Sequence, residues 1–261
     1  RGSEVLADVA RLATRLRRHP MSFTARAGDR QFRLRMDENA LAIAVYGSGD
    51  PRSLARLPAM VRSALQGELT PLRRSIETRQ LSAAGVLADP SAGGSAGESA
   101  FLASACHDFP RAFSYADSDP ARRAAYESAL AALDRGALAP FSPAAWVHGG
   151  FESPDWCLNW PGDPNAGSPL APGTPLPDVP VLVLSGDLDA NVPASQGRSA
   201  AALYPRATFV EIPNAGHTPT DASPCAAALA AHFIRALTAN PNACARTGAP
   251  PPVTTRTRPR S

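Results

Sequence analysis

Two loops carry the side chains best suited to proton transfer. Asp187 and Asp189 follow the apolar run Val179 to Leu184 in Ser185-Gly186-Asp187-Leu188-Asp189, and His217 follows a second run in Asn214-Ala215-Gly216-His217. A carboxylate behind an imidazole fixes the ring tautomer and stabilises the imidazolium formed when the ring takes a proton from a hydroxyl nucleophile. Asp189 and His217 are therefore the candidate catalytic acid and base. Asp187 lies closer to the end of the apolar run, where a carboxylate accepts turn amides; Asp189 stands further out, where the chain can bend back. The bland alternative has both aspartates satisfying turns and His217 facing solvent. No second His or Cys lies at ligand spacing around His217, so neither a metal nor a cofactor is expected. His107-Asp108 is a further acid–imidazole pair, but no strand and turn lead into it, and Asp108 reads as a structural capping carboxylate.

These loops need a scaffold that brings them together. Val179 to Leu184 is rich in β-branched residues with almost no polar relief, which is how a parallel strand buried on both faces reads. Ser195 to Leu203 has a helical pattern, and Thr208 to Ile212 is a second strand. Two successive parallel strands place both following loops on one edge of the sheet, where ligands sit in open α/β folds. Ser223-Pro224 starts the last helix, with the serine as N-cap and the proline in the first turn. Ahead of this region the pattern is mainly helical. Ser3 to Arg18 repeats Val5, Leu6, Val9, Leu12 and Leu16 at helical spacing, and Arg11, Arg15, Arg17 and Arg18 on its polar face read as solvated surface. Helices are also predicted over Asp37 to Val45, Arg52 to Gln66, Thr70 to Gln80 and Pro120 to Leu133. Phe32 to Met36 alternates as a short strand or extended segment, and Leu81 to Ser99 reads as a low-complexity loop. Trp146, Trp156 and Trp160 fall close together and read as packing near a cysteine.

At this point the sequence resembles a known family. Ser185-Gly186-Asp187-Leu188-Asp189-Ala190-Asn191-Val192-Pro193 and Asn214-Ala215-Gly216-His217 look like the triad-acid and triad-histidine loops of α/β-hydrolases. Ala105-Cys106-His107-Asp108, Asp155-Trp156-Cys157-Leu158-Asn159-Trp160-Pro161 and the cysteines near the C-terminus narrow this to the secreted tripeptidyl-aminopeptidase-like branch of actinobacteria. The resemblance runs from about Val5 to Cys244. It implies Asp189 as triad acid in a G-x-x-D loop, His217 as base, and disulfides Cys106–Cys157 and Cys225–Cys244, although four cysteines allow three pairings. Paired cysteines imply an oxidising, extracellular or cell-surface setting. The family order is serine, acid, histidine, with the serine on an elbow after an early strand. The only G-x-S-x-G match is Gly93-Gly94-Ser95-Ala96-Gly97, preceded by turn residues, and it reads as a flexible loop. The nucleophile is expected to lie outside this chain.

The resulting expectation is the C-terminal part of an α/β-hydrolase fold: a helical cap over residues 1–178, the last two parallel core strands and final helix over 179–244, and a disordered tail over 245–261. The resemblance implies a serine hydrolase, in the first place an exopeptidase releasing short peptides from free N-termini, with esterase or lipase chemistry as the alternative. A non-catalytic binding or structural fragment is the reading from a different class. The implied partners are a peptide substrate and an N-terminal segment carrying the serine, from the same precursor or a separate chain. Without that segment the 261-residue chain is expected to be inactive.

Composition excludes other classes. All 26 basic residues are arginine, against 23 acidic ones, and four of the arginines lie after Cys244. The rest of the chain is near neutral, without the basic face and stacking aromatics of a nucleic-acid binder. No run of about 20 apolar residues supports a membrane span. Arg1-Gly2-Ser3-Glu4-Val5 has none of the features of a signal peptide, which fits a fragment or a processed chain.

Overall fold

The computed structural model describes residues 2–46, 51–83, 94–149, 157–162, 166–168, 170–171, 173–189, 191–246, 250 and 252–254. They divide into two compact units, Arg1–Ala44 with Ser63–Pro172, and Val45–Arg62 with Gly173–Ser261.

The first unit opens with α1 (Gly2–Arg18), whose Val9, Leu12, Ala13 and Leu16 are buried as their spacing demands. Two strands follow, β1 (Met21–Ala27) and β2 (Arg30–Met36), paired antiparallel from Met21↔Met36 to Ala27↔Arg30. The short strand or extended segment expected over Phe32 to Met36 is part of β2, and its partner β1 was not expected. The signal was Gly28-Asp29 between alternating segments, a two-residue hairpin loop in which Gly28 takes φ 58°. Ala25 and Leu34 turn to one face and pack with Leu81 of α4 (Thr70–Ala83). Arg73 of α4 donates to the Thr24 carbonyl and lies over the Phe23 ring, while Gln80 donates to the Arg35 carbonyl.

Glu38, at the start of α2 (Glu38–Tyr46), is buried and fully engaged. It accepts from both Arg17 Nε, at 2.6 Å, and Arg17 Nη2, and from the Ser142 amide (2.8 Å) and hydroxyl (3.0 Å). Burial pushes its carboxyl up, but the hydrogen bonds from Arg17 and Ser142 outweigh this and hold it below the usual glutamate range. This node ties α1, α2 and the residue preceding α7 (Pro143–Gly149) together. Helix α3 (Pro51–Leu65) continues through Pro58.

The predicted loop over Leu81 to Ser99 is corrected at both ends. Helix α4 runs on to Ala83, and Gly94–Asp108 is helix α5, so Ser95 of the G-x-S-x-G match lies in a first helical turn. Ala96, Glu98 and Ala100 are good helix formers that soften, without cancelling, the penalty of the glycines. Gly93 and the residues from 84 onward that lead into it lie outside the described residues. Cys106 of α5 is bonded to Cys157, and the pair packs with Phe113, Tyr115, Leu158 and Tyr126 of α6 (Asp119–Ala132). Trp160 packs against the same cluster and Trp146 stacks on Phe141, so two of the three tryptophans are packing residues; Trp156 lies outside the described residues.

The second unit holds the parallel pair β3 (Pro180–Gly186) and β4 (Arg206–Ile212), joined through α8 (Ala194–Ala202). Val210 and Ile212 on one face, with Leu182 and Leu184, pack onto Ala226 and Leu229 of α10 (Pro224–Ala236) and onto Cys244. On the opposite face, Gly197 of α8 lies against Ser185 and Phe209, and Arg198 pairs with Glu211 above the Phe209 ring. The pair is thus covered by a helix on each side. Ser223 caps α10 through the Ala226 amide, and Cys225–Cys244 closes the segment that follows it. The expected two-faced burial of β3 is only partial: Val181, Leu182, Val183 and Leu184 are all half-buried. Among the described residues β3 pairs with β4 alone, which leaves its other edge open. In the predicted tail, the Thr254 amide donates to the Ala55 carbonyl, and residues 255–261 lie outside the described residues.

Candidate active site

Both sequence-selected loops leave the same end of the parallel pair, and backbone bonds lace them together. The Asp187 amide donates to the Ile212 carbonyl (3.2 Å) and the Leu188 amide to the Ala215 carbonyl (2.9 Å). Gly186 is required here by close approach. A Cβ at that position would fall well inside 3.0 Å of the Ala215 and Gly216 carbonyl oxygens, and both of these are backbone atoms. The histidine loop therefore passes directly over the end of β3, and any larger residue would push it away.

That contact brings Asp189 and His217 together. His217 Nδ1 stands 3.0 Å from Asp189 Oδ2. The other carboxylate oxygen, Oδ1, accepts the amides of Asn191 (2.8 Å) and Val192 (2.9 Å). The Asp189 side chain is only 6% exposed, whereas that of His217 is 50% exposed. A carboxylate fixed by two amides has no freedom to turn from the ring, so it accepts from Nδ1–H and leaves the Nε2 lone pair outward. Among the described residues nothing is bonded to Nε2. The arrangement can take a proton from a hydroxyl brought to Nε2 and stabilise the resulting cation.

Asp187 behaves differently from the sequence expectation. Its carboxylate is exposed and accepts no turn amide among the described residues; its contribution is the backbone bond to Ile212, and Asp189 accepts the turn amides itself. His107 and Asp108 do meet, with Nδ1 and Oδ1 2.6 Å apart. They lie at the C-terminal end of α5, so Asp108 does not cap a helix start. Arg111 occupies the capping role there, donating to the Cys106, His107 and Phe109 carbonyls. A surface pocket of about 340 Å³ lies beside this pair, lined by Asp108, Phe109, Arg111, Phe113 and Ser168 among others, and neither Asp189 nor His217 borders it. Among the described residues no group of three or more His, Cys, Asp and Glu side chains stands close enough to hold a metal ion. No described helix is long and apolar enough to cross a membrane.

One residue of this site was not singled out from sequence. Thr218 follows His217 with φ 57° and ψ 63° and donates its hydroxyl to the His217 carbonyl at 2.7 Å. Its type carries no hint of that backbone, since threonine avoids it. Comparison with curated proteins and with solved structures gave no match. Residues 142–244 match the model of a family described as TAP-like protein, a branch of the α/β-hydrolases. The segment with both loops, the parallel pair, α10 and the second disulfide lies inside that match, and the chain carries a TAP-like α/β-hydrolase domain in its C-terminal part.

Proposed function

We propose that this TAP-like α/β-hydrolase segment supplies the acid and base of an extracellular serine peptidase, with Asp189 orienting His217. The observation that carries the reading is the 3.0 Å Asp189–His217 contact, in which a buried, amide-anchored carboxylate faces Nδ1 of an exposed ring. In the mechanism, His217 Nε2 takes the proton of a serine hydroxyl as the oxygen attacks the scissile carbonyl. The imidazolium, stabilised by Asp189, then gives that proton to the leaving amine. Water, activated by the same nitrogen, hydrolyses the acyl-enzyme.

The serine and its oxyanion donors come, in this reading, from an N-terminal segment of the same precursor or from a separate chain. Its natural seat is the outer edge of β3. Edge strands are ordinarily blunted by charge, as β4 is by Arg206 and Glu211, whereas Val181 to Leu184 carry none and are all half-buried. Such a strand reads as one from a sheet interior. The helical residues ahead of β3, within 1–178, would form the lid. The two disulfides support an oxidising compartment, hence export. The resemblance to tripeptidyl-aminopeptidases supports short peptides with a free N-terminus as substrate.

The test joins the serine-bearing segment to this chain, by co-expression or in one polypeptide, and measures release from a tripeptide arylamide with a free or acetylated N-terminus and from an aryl ester of a fatty acid. The expected result is turnover of the free-amine peptide far above the acetylated one. Preference for the ester would assign esterase chemistry instead. A folded complex that turns over none of the three would contradict the hydrolase reading and favour a binding fragment.

A further inference from the structure

Three residues other than glycine adopt positive φ among the described residues: Asn214 (55°), Thr218 (57°) and Leu237 (55°). Two stand where the left-handed region is commonly used. Asparagine tolerates the left-handed region, and Leu237, although glycine usually holds such a place, closes α10 in the left-handed conformation in which helices often end, its amide on the Phe233 carbonyl. Thr218 breaks two rules at once. A β-branched residue in this region is an outlier, and the residue before a proline is pushed towards extended backbone, yet Pro219 follows directly. Its side chain is exposed, so burial does not compensate. What holds it is local: the hydroxyl on the His217 carbonyl, the Thr218 carbonyl accepting the Asp221 amide at 3.0 Å, and the buried Pro219 that begins α9 (Pro219–Ala222). Backbone strain of this kind persists only where its surroundings impose it, and it concentrates at working sites.

We propose that Thr218 is a positioning residue for His217. Its left-handed turn, fastened by the hydroxyl to the His217 carbonyl, sets the direction in which the imidazole leaves the loop and so keeps Nδ1 on Asp189. The proposal rests on the reading of Asp189 and His217 as acid and base. The half-exposed ring has little packing to orient it beyond the Asp189 contact, so the backbone that carries it shares in setting its direction. On one flank, the Ala215 carbonyl is bonded to the Leu188 amide and the Gly216 carbonyl lies against Gly186. On the other, the left-handed Thr218 follows His217 directly and leads into α9 at Pro219.

The tautomer of His217 reads this directly. Proton-coupled nitrogen spectra of the ¹⁵N-labelled chain resolve the ring nitrogens, with His217→Gln assigning the signal among the five histidines. In a neutral ring held by Asp189 the proton sits on Nδ1, whereas an unconstrained ring favours Nε2. The wild-type chain is expected to show Nδ1–H, and Asp189→Asn to lose it. Thr218→Gly keeps the left-handed region accessible and removes the strain. It is expected to melt at or above the wild-type temperature and yet shift His217 to a mixture of tautomers. Thr218→Asn tolerates the same backbone and retains a hydrogen-bonding side chain, so it is expected to restore Nδ1–H. A glycine variant with undiminished Nδ1–H would overturn the positioning role and leave the acid–base pair standing. One that loses both tautomer and melting temperature would also overturn it, since a merely structural role explains both. A wild-type mixture unchanged by Asp189→Asn would overturn the acid–base reading and the positioning role together.

Discussion

Two glycines beside the parallel pair make opposite predictions for the same substitution. At Gly186 a Cβ would fall well inside 3.0 Å of the Ala215 and Gly216 carbonyl oxygens. Neither oxygen can rotate away, so the histidine loop must shift bodily and lose the Leu188–Ala215 bond. Overpacking of this kind costs about 1–3 kcal/mol, and with a hydrogen bond lost as well, about 3 kcal/mol is expected for Gly186→Ala. For a chain of this size that corresponds to a fall in melting temperature of roughly 6–12 °C. At Gly197 the Cβ would meet the Ser185 hydroxyl, a rotatable group, and the Phe209 ring edge at 3.1 Å. The gain of alanine over glycine inside α8, about 1 kcal/mol, offsets most of that crowding, so Gly197→Ala is expected to lie within about 1 kcal/mol of wild type. Thermal melts of both variants, with the His217 ring tautomer as a second readout, decide the matter. Equal melts for the two, or Gly186→Ala with wild-type stability and an intact Nδ1–H signal, would refute the claim that the histidine loop is seated on the end of β3.

Other outcomes follow from the same contacts. In protein joined to the proposed serine-bearing segment, Asp189→Asn is expected to fold and to lose most of kcat, about 10⁴-fold as in serine proteases, while Asp187→Asn keeps kcat; steady-state kinetics on the pair check this. Because Glu38 is held below the usual glutamate range, its stabilisation is complete above an unfolded pKa of about 4.3 and disappears as the pH falls through the lower folded value. Glu38→Gln should therefore cost about 2 kcal/mol at neutral pH and nothing in strong acid, read from denaturant melts across pH. Replacing Cys225 and Cys244 by serine frees a loop with a sequence separation of 19 and should cost about 3 kcal/mol in the same melts. The chain by itself should self-associate with rising concentration through the open β3 edge, and Val183→Lys should suppress this in sedimentation; a monomer at all concentrations would count against that edge.

The parts of the site legible in the sequence are those where chemistry and backbone leave few options. Gly186, Asp189 and His217 stand at strand ends, and a parallel pair brings such ends together whatever the surrounding residues are. The parts that were not legible depend on partners far apart in the chain or on conformations their residue types disfavour. Nothing near Glu38 in sequence announces Arg17 or Ser142. Thr218 holds a backbone that threonine avoids. Ser95 and its neighbours read as loop because Gly and Ser dominate the stretch and disfavour helix, and Ala96, Glu98 and Ala100 only soften that penalty. The β1–β2 hairpin was readable from Gly28-Asp29, but the arginines alternating through β2 masked its pattern.

The central claim, that His217 with Asp189 activates a serine, is tested most directly by fluorophosphonate labelling of the protein joined to the proposed serine-bearing segment. This reagent modifies a serine only when a neighbouring base activates it. Rapid labelling of one serine is expected, abolished by His217→Gln and strongly slowed by Asp189→Asn. Labelling at the wild-type rate in a folded His217→Gln protein would contradict the account.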